Sequence, residues 1–97
     1  MKVIAFNGSP HEKGSTYAAL SLVTAELEKQ GIETEIIHVG TKTYHGCTGC
    51  GACAQTGRCI FTDDLVNECI GKLEQADGLL LGSPVHYAGV AGSMKAF

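Results

Sequence analysis

Four of the five cysteines fall in one short run, Cys47-Thr-Gly-Cys50-Gly-Ala-Cys53-Ala-Gln-Thr-Gly-Arg-Cys59. The gaps spell C-x2-C-x2-C-x5-C, and two-residue gaps let consecutive sulfurs converge on one centre, as in compact 4Fe-4S ligation. Gly46, Gly49, Gly51 and Gly57 allow the backbone to wrap and aim N–H groups at sulfur, and Arg58 is placed to offset the charge of a cluster. Zinc in a four-cysteine site prefers two separated pairs, so the compact run suits it less well. Clustering of this kind favours metal or redox chemistry over a disulfide scaffold.

A second constellation is Gly8-Ser9-Pro10-His11-Glu12-Lys13-Gly14-Ser15-Thr16. It joins an apolar run to a helical pattern, which places free backbone N–H groups and the positive end of a helix at one point. An anionic phosphate binds well there. Ser9, Ser15 and Thr16 add hydroxyl donors. The nucleoside-triphosphate loop fails, because Gly8 and Gly14 are one residue too far apart and Ser15 replaces the lysine. The dinucleotide pattern fails as well, since Pro10 stands where a second glycine is needed. A monophosphate survives this elimination, beside the plainer reading of a capped turn without ligand.

The third constellation is Ser83-Pro84-Val85-His86-Tyr87-Ala88-Gly89-Val90-Ala91-Gly92. Pro84 stiffens the turn, His86 and Tyr87 offer flat rings, and the glycines admit close backbone approach. Singly, each ring is as well explained by packing as by stacking. Jointly, a phosphate cradle beside a tight aromatic loop suits a flat heteroaromatic ring with a phosphorylated tail.

The elements that position these groups are legible as an alternation. Lys2–Asn7, Glu35–Val39 and Gly78–Gly82 are short apolar runs followed by turn formers, as expected of strands buried on both faces of a parallel sheet. Ser15–Gln30 reads as a helix with Leu20, Val23 and Leu27 on one stripe, widened by Ala19 and Leu22, and Gly31 as its stop. Thr62–Ala76 repeats the pattern with Leu65, Cys69, Ile70 and Leu73, with Thr62 or Asp63 as its cap and Asp64 suited to its positive first turn. Cys69 reads as a core residue, whereas His38, His45, Asp63 and Asp64 lack evident partners and read as surface or capping groups. Strand–helix–strand–helix–strand order implies right-handed crossovers and an open parallel α/β sheet. Ligands of such sheets sit beyond the carboxyl ends of the strands, where the first and third strands are neighbours. The segment 40–61 is long for a connection and holds the cysteine run, which points to function.

The sequence is 97 residues long, 44% hydrophobic and 18% charged, which suits one globular domain. Seven Lys+Arg against ten Asp+Glu give a net charge of −3, so no nucleic-acid partner is expected. No stretch reaches the ~20 apolar residues of a membrane helix, and the four apolar residues Val3–Phe6 are too few for a signal peptide, so a cytoplasmic address and no membrane partner are expected. Gly92–Phe97 reads as the start of a third helix. An apolar third strand with an unpaired flank is an aggregation hazard. Residues 1–97 are therefore expected to be the N-terminal part of a single larger domain, or to be covered by a second copy in a homo-oligomer.

Gly8-Ser9-Pro10 with Gly14-Ser15-Thr16, and Gly82-Ser83-Pro84-Val85 through Gly89 and Gly92–Phe97, resemble the flavodoxin-like NADPH-dependent FMN reductase family across the whole chain. The spacing of Cys47, Cys50, Cys53 and Cys59 matches its iron–sulfur flavoprotein branch. The resemblance implies FMN phosphate contacts from Ser9, His11, Ser15 and Thr16 around Gly14, and ring contacts from Pro84, Val85, His86, Tyr87 and Gly89 beside Ser83. His11 stands where many members carry arginine, and His86 where an aromatic residue is usual. The resemblance further implies a domain roughly twice this length with sheet order 2-1-3-4-5, a 4Fe-4S cluster exchanging electrons with FMN, NAD(P)H as substrate, and a redox partner protein. Other members with a similar loop hold no cluster, so packing or redox-sensitive thiols stay open. The resulting expectation is an FMN-dependent electron-transfer oxidoreductase in which the cofactor carries the chemistry. No side chain is singled out as a catalytic acid, base or nucleophile. A non-enzymatic flavodoxin-type carrier and a cysteine-rich metal-binding module are the rival readings.

Overall fold

The computed structural model describes all of residues 1–97. Three parallel strands, β1 (Lys2–Asn7), β2 (Glu33–His38) and β3 (Gly78–Gly82), form a sheet of order β2-β1-β3. Two helices make the crossovers: α1 (Ser15–Lys29) between β1 and β2, and α3 (Val66–Glu74) between β2 and β3. A one-turn helix α2 (Cys53–Thr56) lies in the cysteine segment. Beyond β3 come a two-stranded antiparallel hairpin of β4 (Val85–His86) and β5 (Gly89–Val90), and a terminal helix α4 (Gly92–Ala96). No helix is long and apolar enough to cross a membrane.

β1 is the central strand, and Val3 through Asn7 are all buried. Alternation along it sends Ile4 and Phe6 to one face. There they meet Val39 and Cys69, with Leu65, Leu73, Met94 and Phe97 packed around the cluster. That face belongs to α3 and α4. Phe97 sets its ring edge against Phe6 at a centroid distance of 4.8 Å. The helix α1 packs against all three strands on the opposite face, with Leu20 and Thr24 as its buried residues. Helices on opposite faces follow when both crossovers are right-handed and the chain, having stepped from β1 to β2, turns back across the sheet to β3.

Several boundaries differ from the sequence reading. β2 spans Glu33–His38 rather than Glu35–Val39, because backbone pairing with Lys2 and Val3 recruits Glu33 and Thr34 irrespective of their polarity. Val39 leaves the strand but stays in the core, fully buried. α3 starts at Val66 rather than Thr62, since the Asp64 carboxylate accepts the Val66 N–H at 3.1 Å across the bend 63–65. Asp64, not Thr62 or Asp63, therefore supplies the polar start of that helix. On α1 the expected stripe is rotated: Thr24 is buried while Leu22 and Val23 are 75% and 45% exposed. Hairpin β4–β5 and helix α2 carry no apolar period and were outside the sequence reading.

Candidate functional site

The site begins where β1 and β3 end side by side. The Gly8 N–H donates to Gly82 O at 2.8 Å, so the loops after both strands leave from adjacent points. Asn7, fully buried, organises the first loop. Its Oδ1 accepts the Ser9 N–H at 3.0 Å and its Nδ2 donates to Glu12 O at 2.9 Å. The Ser9 hydroxyl oxygen accepts the His11 N–H at 3.0 Å, which leaves its hydrogen free to donate. Two glycines let backbones close in. A Cβ at Gly40 would stand 2.0 Å from Ser9 O, and one at Gly82 would stand 2.9 Å from the Thr16 methyl. His38 also serves the loop: its Nε2 lies 2.7 Å from Ser9 O. No sequence pattern gives His38 this partner, which lies 29 positions away.

Helix α1 starts from Gly14 in extended backbone, with no side-chain cap and no acidic residue in its first turn. Its first backbone bond runs from Ala18 N–H to Gly14 O, so the N–H groups of Ser15, Thr16 and Tyr17 donate to no protein acceptor. An uncapped helix start with three free donors is an anion site in charge and geometry. His11 sits beside it, its Cβ 3.2 Å from where a Gly14 Cβ would stand. Ser15 and Thr16 line an open cleft of about 580 Å³ together with Gly82, Ser83 and Pro84, and with Leu20, Val23 and Leu80 along its floor. Of the expected site residues, Ser15, Thr16, Ser83 and Pro84 thus share one cleft, whereas Ser9, His11, Gly14, Val85, His86, Tyr87 and Gly89 do not line it.

The loop after β3 is more built than its sequence suggests. The Ser83 hydroxyl donates to Pro84 O at 2.9 Å and accepts the Ala91 N–H at 3.0 Å, which ties the base of the hairpin. Tyr87 and Ala88 form its two-residue tip, with φ of 52° and 64°. Two consecutive left-handed residues make the tight turn that matches strand twist, normally reserved for Asn-Gly. For Tyr and Ala each such residue costs about 1–2 kcal/mol. The outcome is that Tyr87 is wholly exposed, with Val85, His86 and Gly89 also at the surface.

All four clustered thiols line one second pocket, of about 240 Å³, walled by Ile60, Phe61, Val66, Ile70 and Phe97. Cys47, Cys50 and Cys53 are exposed and Cys59 is half-buried. Gly57 closes α2 in a left-handed cap, its N–H donating to Cys53 O at 2.8 Å. A single tetrahedral zinc, with Zn–S near 2.3 Å, draws its sulfurs to about 3.8 Å of one another. No three of the thiols approach within 4.8 Å, a spacing met here only by His45, Asp63 and Asp64. Four thiols lining one apolar hollow are a donor set of the kind that holds an iron–sulfur group.

Pairings that the sequence does not announce surround this pocket. Arg58 forks onto Glu74, with Nη2 at 3.2 Å from Oε2, and this pair holds the Glu74 carboxyl below the usual range. The Arg58 charge is thereby matched by Glu74, not directed at the thiols as expected from sequence. Asn67 accepts the Cys59 N–H at 2.7 Å and donates to Cys59 O and Phe61 O at 3.0 and 3.2 Å. His45 stacks on Phe61 at 4.0 Å and its Nε2 lies 2.8 Å from Asp63 Oδ1. His45 and Asp63 are partners of each other, contrary to the sequence reading. Cys69 is the core residue expected, its thiol pushed up by burial.

A parallel sheet of order β2-β1-β3 with helices on both faces matches part of a flavodoxin-like α/β fold. The chain belongs to the NADPH-dependent FMN reductase family, whose pattern it matches over residues 1–97. It is 40% identical over 95 residues to an iron–sulfur flavoprotein of Methanocaldococcus jannaschii, covering 98% of this chain and 49% of the relative. It is 38% identical over 97 residues to an iron–sulfur flavoprotein of Archaeoglobus fulgidus, covering 100% of this chain and 44% of the relative. The chain spans about half the length of the curated relatives it matches.

Proposed function

We propose that these residues are the N-terminal part of one flavodoxin-like domain that binds FMN and works as an NAD(P)H-dependent electron-transfer oxidoreductase. The observation that carries this reading is the uncapped N-terminus of α1 opening on the same cleft as Ser83 and Pro84. In this reading the Ser15, Thr16 and Tyr17 N–H groups and the Ser9, Ser15 and Thr16 hydroxyls take the FMN phosphate. His11, beside Gly14, adds a ring N–H. Pro84, Val85, His86, Tyr87 and Gly89 border the isoalloxazine, with Ser83 acting from behind by fixing the hairpin they stand on. FMN supplies the hydride and one-electron chemistry when bound. The chain's own part is orientation: the Gly8–Gly82 bond holds the two loops in fixed relation, and the strained tip keeps Tyr87 extended. No residue here is assigned a proton-transfer role.

Cys47, Cys50, Cys53 and Cys59 would hold the 4Fe-4S group, a reading supported by their common apolar pocket and by the names of the relatives. That group would supply one-electron exchange, and its apolar surroundings would limit water. NAD(P)H as donor, a redox partner protein and a homo-oligomeric state extend the same reading.

The test mixes the FMN-loaded full-length protein, purified without oxygen, with NADPH and separately with NADH. Bleaching of the flavin's long-wavelength band on a turnover timescale with either nucleotide is the expected result. A flavin that stays oxidised with both overturns the enzyme reading and leaves a carrier reduced by another protein.

A further inference from the structure

The four thiols of the pocket are not held alike. Along the whole run the backbone passes through left-handed glycines, and Gly46, Gly49, Gly51 and Gly57 have no atom within 4 Å of the position a Cβ would take. No side-chain hydrogen bond reaches the backbone of Cys47, Cys50 or Cys53. Cys59 differs. It is the half-buried member of the four, and a single side chain, Asn67, grips it from both sides.

Asn67 lies in the first turn of α3, a helix anchored in the core by Cys69 and Leu73. Its Oδ1 accepts the Cys59 N–H at 2.7 Å, and its Nδ2 donates to Cys59 O at 3.0 Å and Phe61 O at 3.2 Å. The carboxamide completes three hydrogen bonds, in the manner of a strand pairing with residues 59–61. Glu74, seven residues further and so on the same helix face, holds the neighbouring Arg58 by its forked ion pair. Residues 58–61 are therefore tied to α3 by side-chain hydrogen bonds, whereas no such bond ties 46–53 to it.

We propose that Asn67 is the positioning residue of the thiol site. It presents Cys59 in a preformed place on the rigid scaffold, and Cys47, Cys50 and Cys53 close on the metal group from the adaptable side. Preorganising one ligand lowers the ordering cost of the other three. Asn67 makes no contact with the metal group; it acts through the Cys59 backbone. The proposal rests on the reading of the four cysteines as the iron–sulfur site, but the anchoring itself can be read without metal.

The experiment uses the full-length protein, purified without oxygen, as wild type, Asn67→Leu and Asn67→Asp, with circular dichroism to verify folding. Asn67→Leu keeps the volume and removes all three bonds; Asn67→Asp keeps an acceptor for the Cys59 N–H. In the metal-free proteins, iodoacetamide alkylation is followed thiol by thiol by mass spectrometry. Cys59 is expected to be the slowest of the four in wild type, about tenfold faster in Asn67→Leu, and intermediate in Asn67→Asp, with Cys47, Cys50 and Cys53 unchanged. After reconstitution with iron and sulfide, wild type is expected to hold about four irons and Asn67→Leu about three, with the electron-spin-resonance signal of a three-iron cluster. Equal Cys59 reactivity in folded wild type and both variants overturns the anchoring. Unchanged iron content with raised Cys59 reactivity overturns its role in assembly. Wild type that takes up no iron, while Cys59 still responds to both variants, leaves the anchoring standing and sinks the iron–sulfur reading alone.

Discussion

At the level of single residues, Tyr44 ties the cysteine segment to the core. Its hydroxyl donates to Val39 O at 3.0 Å and its ring tilts against Phe97 at 5.2 Å. Burial first, and then the charges of Cys69 and Asp64, push the phenol from 10.0 up to about 12. A folded-state value above the unfolded one means stability that is complete below pH 10 and drains away as pH rises towards 12. Tyr44→Phe loses the bond to Val39, worth about 1 kcal/mol, and loses this pH dependence with it. Urea denaturation from pH 8 upward should therefore show wild type ahead at low pH, with the gap narrowing above pH 10. A gap constant in pH contradicts the buried phenol. The same residue shows why sequence reading stops short of the site. Cysteine spacing is local and was visible. The partners that shape the pocket, His45 with Asp63 and Arg58 with Glu74, are 18 and 16 positions apart and have no periodic signature.

Among the elements, α1 carries the most weight, because its free N-terminus is proposed to take the phosphate. Ser15→Asp separates structure from binding. A carboxylate in the first turn complements the helix dipole and should raise the stability of the flavin-free protein by about 0.3–1 kcal/mol in thermal denaturation. The same charge should weaken FMN at least about tenfold by repulsion, and leave riboflavin, which has no phosphate, unaffected. A variant that is more stable and binds FMN normally removes the phosphate from α1. The element pattern was legible wherever burial imposed a period. β1 and β3 stand at the predicted residues and α1 ends one residue from them. It failed where polar backbone partners decide: Glu33 and Thr34 join β2 by pairing with Lys2 and Val3, and Asp64 delays α3. Hairpin β4–β5 was hidden because Tyr-Ala is not a residue pair that announces a left-handed turn.

On the scale of the whole molecule, β3 is an exposed edge of the sheet. Leu79 and Leu81 are 49% and 64% exposed, and an apolar cleft lined by Phe6, Leu73, Val90 and Phe97 opens beside them. The chain spans about half the length of its relatives, and further strands of the same sheet would pair with this edge. Residues 1–97 produced alone should self-associate in size-exclusion chromatography, and Leu79→Lys with Leu81→Lys should reduce that association. A soluble monomer with wild-type leucines contradicts the exposed-edge account. The central claim, that α1 and the loop after β3 grip a phosphorylated flavin between them, is tested most directly by calorimetric titration of the full-length flavin-free protein with FMN and with riboflavin. FMN should bind at least about a hundredfold more tightly, as several charge-assisted bonds to one phosphate require. Equal affinities for the two would contradict it.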